Sequence, residues 1–142
     1  MNLEIIAISI LALVLSCYTD LKKREIHPLS EILLAFCFLG ALLWINNFET
    51  TIGVLLLVLL TGGACLALWT IDIWGLGDAR ILTALVAANA PLKLAAGNFY
   101  WVPLLFIFSA AAAVLSSKAF PKNNIPFVYP LLIAYIVLGA FP

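Results

Sequence analysis

Two aspartates, Asp20 and Asp78, lie at the ends of apolar segments, where a pair of carboxyl groups could carry out acid–base chemistry. When two carboxyl groups are held close together, one keeps its proton while the other stays ionised. The ionised group can take a proton from a water molecule while the protonated group donates to the carbonyl under attack. Two aspartates can therefore hydrolyse a peptide bond without a metal ion, so we expect neither a metal nor a cofactor.

Asp78 follows two glycines, Gly75 and Gly77, and opens an apolar segment. In a structural interpretation, the glycines form a turn and Asp78 is the N-cap of the next helix, where free N–H groups favour a carboxylate. In a functional interpretation, the missing side chains let a substrate backbone approach the carboxylate of Asp78. The motif alone favours neither interpretation.

Asp20 ends the first apolar segment and is followed by three bases, Lys22, Lys23 and Arg24. Taken alone, this pattern is typical of a solvated flank whose basic side chains contact lipid headgroups. Asp20 and Asp78 are informative together, because the predicted topology brings both to one membrane face. Asp72 is a further candidate, which could tune the pair, replace Asp20 in it, or be an ordinary helix-end residue.

Other catalytic groups are scarce. His27 is the only histidine, and no serine or cysteine has an evident base partner. The cysteines each lie in an apolar segment and form no CxxC pair, which argues against zinc ligation and disulfides. We predict that Cys17, Cys37 and Cys65 are small packing residues.

The composition predicts an integral membrane protein. Of its 142 residues, 65% are hydrophobic and 10% are charged, and the mean hydropathy is +1.19; soluble domains are only about 45–50% apolar. Seven basic residues balance seven acidic ones, so there is no basic excess that would indicate a nucleic acid partner. No linker or repeat divides the chain, and we expect residues 1–142 to form one domain in a lipid bilayer.

Charged, Pro, Asn and Gly clusters divide the chain into apolar segments that predict an all-α polytopic fold with six transmembrane helices. The segments are Leu3–Tyr18, Ile32–Ile45, Ile52–Ile73, Ala79–Pro91, Phe99–Ser116 and Pro126–Phe141. With six spans, the basic residues in the loops separate by side: Lys22, Lys23, Arg24, Arg80, Lys118 and Lys122 against Lys93. Because basic loops stay in the cytoplasm, both termini are predicted outside, with both aspartates at the cytoplasmic face of the cell membrane.

Three short patterns in the chain resemble the type IV prepilin peptidases, a family of GxGD aspartic membrane proteases. One is Gly75-Leu76-Gly77-Asp78 with a base two positions on; another is Asp20 followed by Arg24, Ile26 and Pro28; the weakest is Ile125-Pro126-Phe127 with Pro130 and Leu131. Two positions depart from the family pattern. Arg80 stands where the family usually has lysine, and His27 interrupts its usual Ile-Pro-Asn turn.

The resemblance implies a peptidase that removes the leader of pilin-like precursors, with Asp20 and Asp78 as its catalytic pair. It also implies substrate contacts from the motif glycines and nearby bases, namely Gly75, Gly77, Arg80, Lys22, Lys23 and Arg24. Larger members of the family carry a segment with paired CxxC motifs and also methylate the product. This chain has no CxxC pair, so we expect cleavage without methylation.

Other functions remain open. Presenilin-like proteases share the GxGD tetrapeptide, but they are larger and place the first aspartate within a span. A small transporter or channel subunit could use Asp20, Asp72 and Asp78 to handle protons or cations. A noncatalytic assembly subunit would need none of these aspartates.

Overall fold

The chain folds into an all-helical bundle in a computed structural model that describes residues 2–23, 26, 28–45, 48–71, 76–119 and 128–139. No strand occurs within those ranges. Six helices follow in order: α1 (Asn2–Lys23), α2 (Pro28–Trp44), α3 (Phe48–Thr70), α4 (Leu76–Ala95), α5 (Trp101–Ala119) and α6 (Val128–Gly139). Each predicted apolar segment corresponds to one helix, although most boundaries differ.

The fourth segment shows the largest difference in length, because α4 was predicted over Ala79–Pro91 and instead covers Leu76–Ala95. Proline removes one backbone donor from the ladder, and a helix can continue past it when neighbouring helices pack around the site. Pro91 is buried in the bundle. The helix ends at Ala95, and Gly97, two positions later, has a φ of 73°, the left-handed conformation that commonly stops a helix.

Other helix ends differ by a few residues. Phe48 and the two residues after it, predicted as a separator, form the first turn of α3. α3 ends at Thr70 rather than Ile73, and α5 continues through the predicted turn residues Ser116–Lys118 to Ala119. Charged and polar side chains are tolerated at helix ends, so they do not mark where a helix stops.

Two helices are long and apolar enough to cross a membrane, over Leu3–Asp20 of α1 and Glu49–Thr70 of α3. Shorter apolar helices cover Pro28–Leu43, Trp101–Ala111 and Val128–Leu138. A buried core helix of a soluble protein can have the same composition, but only 17% of the α3 segment is buried. Leu59 and Leu60, at the middle of α3, are each 71% exposed. Such a continuous exposed apolar surface indicates association with a membrane.

The central helix is α4, which packs against α1, α2, α3 and α6. Its first half and its middle are largely buried, at Ala79, Ile81, Leu82, Leu85, Val86, Ala88, Asn89, Ala90 and Pro91. Because neighbouring helices surround α4, it can carry polar residues that a lipid-facing helix would expose to hydrocarbon. α5 and α6 pack together at the other side of the bundle.

The cysteines are part of the packed core. Cys17, Cys37 and Cys65 are buried and free, and all three belong to the main cluster of buried apolar side chains. The prediction that they are packing residues is confirmed.

Candidate functional site

The site begins at the first turn of α4, where Gly77 and Asp78 are the second and third residues of the helix. Asp78 therefore lies inside the first turn, and its assignment as the N-cap is wrong by the observed boundary. The electrostatic argument is unchanged, since the free N–H groups of a first turn still favour a carboxylate there. The Asp78 side chain is half-buried.

Gly77 packs directly against the segment that follows α1. A Cβ atom at this position would lie 3.2 Å from Cδ1 and 3.3 Å from Cγ1 of Ile26. Both distances are shorter than ordinary carbon–carbon contacts of about 3.5–4.0 Å. A side chain at position 77 would therefore press on Ile26, which must shift by a few tenths of an ångström to admit it. This is a structural reason for the glycine that does not depend on a substrate.

Asp20 lies in the last turn of α1 and is half-buried. The preceding residue, Thr19, donates its hydroxyl to the carbonyl oxygens of Leu15 and Ser16, each at 3.2 Å. Ile26, six positions after Asp20, is the residue that contacts Gly77. The segments that carry Asp20 and Asp78 therefore meet at one end of the bundle.

α1 and α4 run antiparallel, as two contacts show. Near the start of α1, Ser9 accepts a hydrogen bond of 3.2 Å from Nδ2 of Asn89 in α4. Beyond the end of α1, Ile26 contacts Gly77 at the start of α4. Moving forward along α1 therefore corresponds to moving backward along α4, which places the end of α1 beside the beginning of α4.

The basic residues near the pair have partners within the bundle. The Nη2 atom of Arg80 lies 2.5 Å from Oε2 of Glu31, and their side chains are 59% and 22% exposed. Glu31 thereby links the first turn of α2 to α4. Lys22 is exposed, with Nζ 5.7 Å from the ring centroid of Tyr18 one turn earlier in α1.

Several predicted site positions are not covered by this geometry. Gly75, Arg24, Asp72, His27 and the segment Ile125–Phe127 lie outside the described residues. Lys23 is the last residue of α1, but its side chain is also outside them. The predicted roles of these residues stay predictions.

A groove of about 400 Å³ lies between α3 and α4 and begins beside the aspartate motif. Glu31 and Arg80 are its charged residues, and Leu76 and Leu66 are its large apolar ones. The remaining lining residues are small: Gly62, Cys65, Ala79, Thr83, Ala84 and Ala87. A groove with these walls can accept an apolar chain at close range to helix backbones.

A hydrogen-bonded cluster in the centre of the bundle was not predicted from the sequence. Tyr135 of α6 donates its hydroxyl to Oδ1 of Asn89 at 2.7 Å, and Asn89 donates to Ser9 and, at 2.9 Å, to the carbonyl of Leu85. All three side chains are buried. The sequence feature that could have indicated the cluster is Asn89 itself. An amide within an apolar helix needs hydrogen-bond partners on neighbouring helices.

Metal binding has no candidate within the described part of the chain, where no group of three or more His, Cys, Asp or Glu side chains could hold an ion. Asp20 and Asp78 remain the candidate pair of carboxyl groups, at the end of the bundle where α1 ends and α4 begins. No protein-family model, curated protein or solved structure matches the chain. The function of the chain is therefore inferred from its residues and their arrangement.

Proposed function

We propose that the chain is a membrane-embedded aspartic endopeptidase in which Asp20 and Asp78 hydrolyse a peptide bond near the cytoplasmic face of the cell membrane. The observation that carries the proposal is the contact between Ile26 and Gly77, which brings the two aspartate-bearing helix ends together. Both residues are half-buried. In the proposed mechanism the two carboxyl groups share one proton, as closely held carboxyl groups do.

In the proposed reaction, the ionised aspartate takes a proton from a water molecule lying between the carboxyl groups. The water oxygen attacks the scissile carbonyl, while the protonated aspartate donates a hydrogen bond to the carbonyl oxygen. Collapse of the tetrahedral species transfers a proton to the leaving amine and releases the leader. The N-terminal amides of α4 favour an ionised Asp78, which makes this residue the preferred base.

The proposed topology has six spans with both termini outside. It is supported by the basic residues, because a six-span arrangement would put six of them on one side and Lys93 on the other. It is also supported by the central position of α4, a helix that carries the charged residues Asp78, Arg80 and Lys93 near its ends. Its neighbours shield α4 from hydrocarbon, so it can cross with a lower hydropathy than α1 or α3.

The proposed substrates are pilin-like precursors, in which a polar leader precedes an apolar helix. The groove between α3 and α4 supports an apolar substrate, because it begins at Leu76 and Ala79 on either side of the Gly77-Asp78 pair. A helix in lipid must open locally before its amide can be attacked, since lipid satisfies no backbone polar group. The polar residues at the groove entrance, Glu31 and Arg80, would face the opened segment.

The transporter alternative finds less support. In the described ranges, each carboxylate lies in the first or last turn of a helix: Glu4, Asp20, Glu31, Glu49 and Asp78. A proton or cation path through the membrane requires ionisable groups at mid-depth. The central polar cluster instead consists of serine, asparagine and tyrosine side chains.

The proposal is tested by leader cleavage in membranes that contain a pilin-like precursor and one variant of the chain. Asp20→Asn and Asp78→Asn should each lose cleavage by more than about a hundredfold, as for removal of a catalytic acid or base. The matched control is Glu49→Gln, which neutralises an exposed carboxylate in the first turn of α3 and should cleave normally. Asp72→Asn tests whether Asp72 takes the place of Asp20 in the catalytic pair. This variant should cleave normally if Asp20 is the partner of Asp78. Normal cleavage by both aspartate variants at equal abundance would refute the protease mechanism.

A further inference from the structure

The central cluster of Ser9, Asn89 and Tyr135 takes no part in the proposed reaction, yet it connects three helices. Asn89 of α4 is 2% exposed, Ser9 of α1 is 0% exposed and Tyr135 of α6 is 2% exposed. The ring of Trp101 in α5 packs edge-on against Tyr135, with centroids 6.4 Å apart at 82°. We propose that Asn89 is a positioning residue that fixes the register of α1 against α4 and thereby holds Asp20 opposite Asp78.

The two aspartates lie equally far along the chain from the two cluster residues of their own helices. Asp20 lies eleven positions after Ser9, and Asp78 lies eleven positions before Asn89. Because α1 and α4 are antiparallel and Ser9 is bonded to Asn89, equal steps in opposite directions reach the same level of the bundle. At 1.5 Å per residue, both aspartates lie about 16 Å from the cluster, toward the same end.

The rotation of an α-helix also puts each aspartate on the face that carries the cluster residue of its own helix. Eleven residues at 3.6 per turn make three turns plus about 20°. Asp20 therefore lies almost on the same face of α1 as Ser9, and Asp78 almost on the same face of α4 as Asn89. The Ser9 and Asn89 faces contact each other, so the aspartate faces are also directed toward the partner helix. The Ile26–Gly77 contact keeps the helices close at that end.

A buried polar contact fixes the register of two helices more closely than apolar contacts do. Apolar side chains of similar size can slide past one another by a residue with little loss of contact, whereas a buried amide has partners at only one register. A slip of one residue would rotate Asp78 by about 100° and remove it from Asp20. The ladder of α4 is also interrupted nearby, since Pro91 cannot donate to the carbonyl of Ala87. A bond to the neighbouring helices holds α4 where its own ladder is incomplete.

The register is tested by cysteine crosslinking in a chain whose Cys17, Cys37 and Cys65 are replaced by alanine. The matched pair is Asp20→Cys with Asp78→Cys, and the offset pair is Asp20→Cys with Arg80→Cys, which lies about 200° around α4. With a short bifunctional maleimide, the matched pair should crosslink about tenfold faster than the offset pair, a ratio that corresponds to a well-defined register. Equal rates for the two pairs would overturn the proposal.

The role of Asn89 is tested by repeating the crosslinking with Asn89→Leu, which has a similar volume but no amide. The ratio of the crosslinking rate of the matched pair to that of the offset pair should fall by about fivefold, as expected for coupled contacts. Tyr135→Phe removes one bond at nearly constant volume and should give a smaller fall. Thr61→Val is the control, because the Thr61 hydroxyl bonds to Leu57 within its own helix and its loss should leave the ratio unchanged. An unchanged ratio in correctly inserted Asn89→Leu and Tyr135→Phe proteins would overturn the positioning role.

The inference rests on the proposed function for its purpose but not for its test. Crosslinking reports the register without proteolysis, so it can succeed even if Asp20→Asn and Asp78→Asn cleave normally. In the otherwise native chain, Asn89→Leu should lower kcat of precursor cleavage about tenfold with little change in KM, since substrate contacts lie elsewhere. A change confined to KM would contradict a positioning role.

Discussion

α3 and α4 pack side by side and have similar lengths, 23 and 20 residues, but they use polar side chains in opposite ways. The buried hydroxyl of Thr61 in α3 bonds to a carbonyl of its own helix. Two polar side chains of α4 reach other helices: Arg80 pairs with α2, and Asn89 bonds to α1 and α6. The helix with fewer apolar residues is the inner one, and the proposed chemistry lies at its end.

The largest expected difference between the two helices concerns a charge on the exposed apolar side of α3. Leu59 lies at the middle of α3 and is 71% exposed. Leu59→Lys would place an ammonium group at mid-membrane, which costs about 2.5–3.5 kcal/mol on insertion scales. We expect a clear loss of membrane-integrated protein after carbonate extraction.

The control for this variant is Ile71→Lys, at a residue that is 62% exposed just beyond the end of α3. A lysine there reaches the interface and should insert normally. Equal integration of both variants would show that the exposed face of α3 does not contact hydrocarbon.

The next effect concerns the buried polar groups of the two helices. Asn89→Leu should destabilise the protein by about 1–3 kcal/mol, because it leaves the Tyr135 hydroxyl and Ser9 without the amide. Thr61→Val removes a hydroxyl that bonds to the carbonyl of Leu57 within its own helix, and it should cost less than about 1 kcal/mol. Thermal unfolding in one detergent measures both. A larger loss for Thr61→Val would reverse the comparison.

Glycines in the two helices should also differ. Gly77→Ala creates a contact of 3.2 Å with Ile26, whereas a Cβ at Gly63 of α3 meets no atom within 4 Å. Overpacking costs about 1–3 kcal/mol, so Gly77→Ala should lower cleavage several-fold and Gly63→Ala should not. Adding Ile26→Ala to Gly77→Ala should restore part of the activity. Failure of this rescue would assign the glycine to substrate contact instead.

The smallest effect is expected at the ion pair between α2 and α4. The Arg80 side chain is 59% exposed, and exposed pairs contribute about 0–1 kcal/mol. Glu31→Gln should therefore lower the unfolding temperature slightly, and added salt should shrink the difference from wild type. A loss equal to that of Asn89→Leu would show that the pair is structurally essential.

Much of the fold follows from the sequence, because apolar segments divided by polar clusters determine where helices form. All six helices were predicted, but their ends were not, since side chains such as Glu49 and Lys118 are compatible with both helix and loop. The prediction for α4 was the least accurate. Pro91 is a local signal for termination, whereas the helix continues because of packing from four neighbours, which no local pattern reveals.

The candidate site was predicted in part. Asp78 and Gly77 were evident from their short motif, but the packing of Ile26 on Gly77 depends on how α1 turns into α2. The partners of Asn89 lie 80 positions earlier and 46 positions later in the chain. Contacts at such separations are set by the arrangement of whole helices. The sequence therefore predicts that Asn89 needs hydrogen-bond partners, but it does not predict which residues they are.

The most direct test of the central claim is leader cleavage by the purified chain reconstituted in lipid vesicles with a purified pilin-like precursor. The account predicts that the wild-type chain alone releases the leader, that Asp20→Asn and Asp78→Asn do not, and that Glu49→Gln does. Cleavage at the wild-type rate by either aspartate variant, or none by correctly folded wild-type protein, would contradict the account.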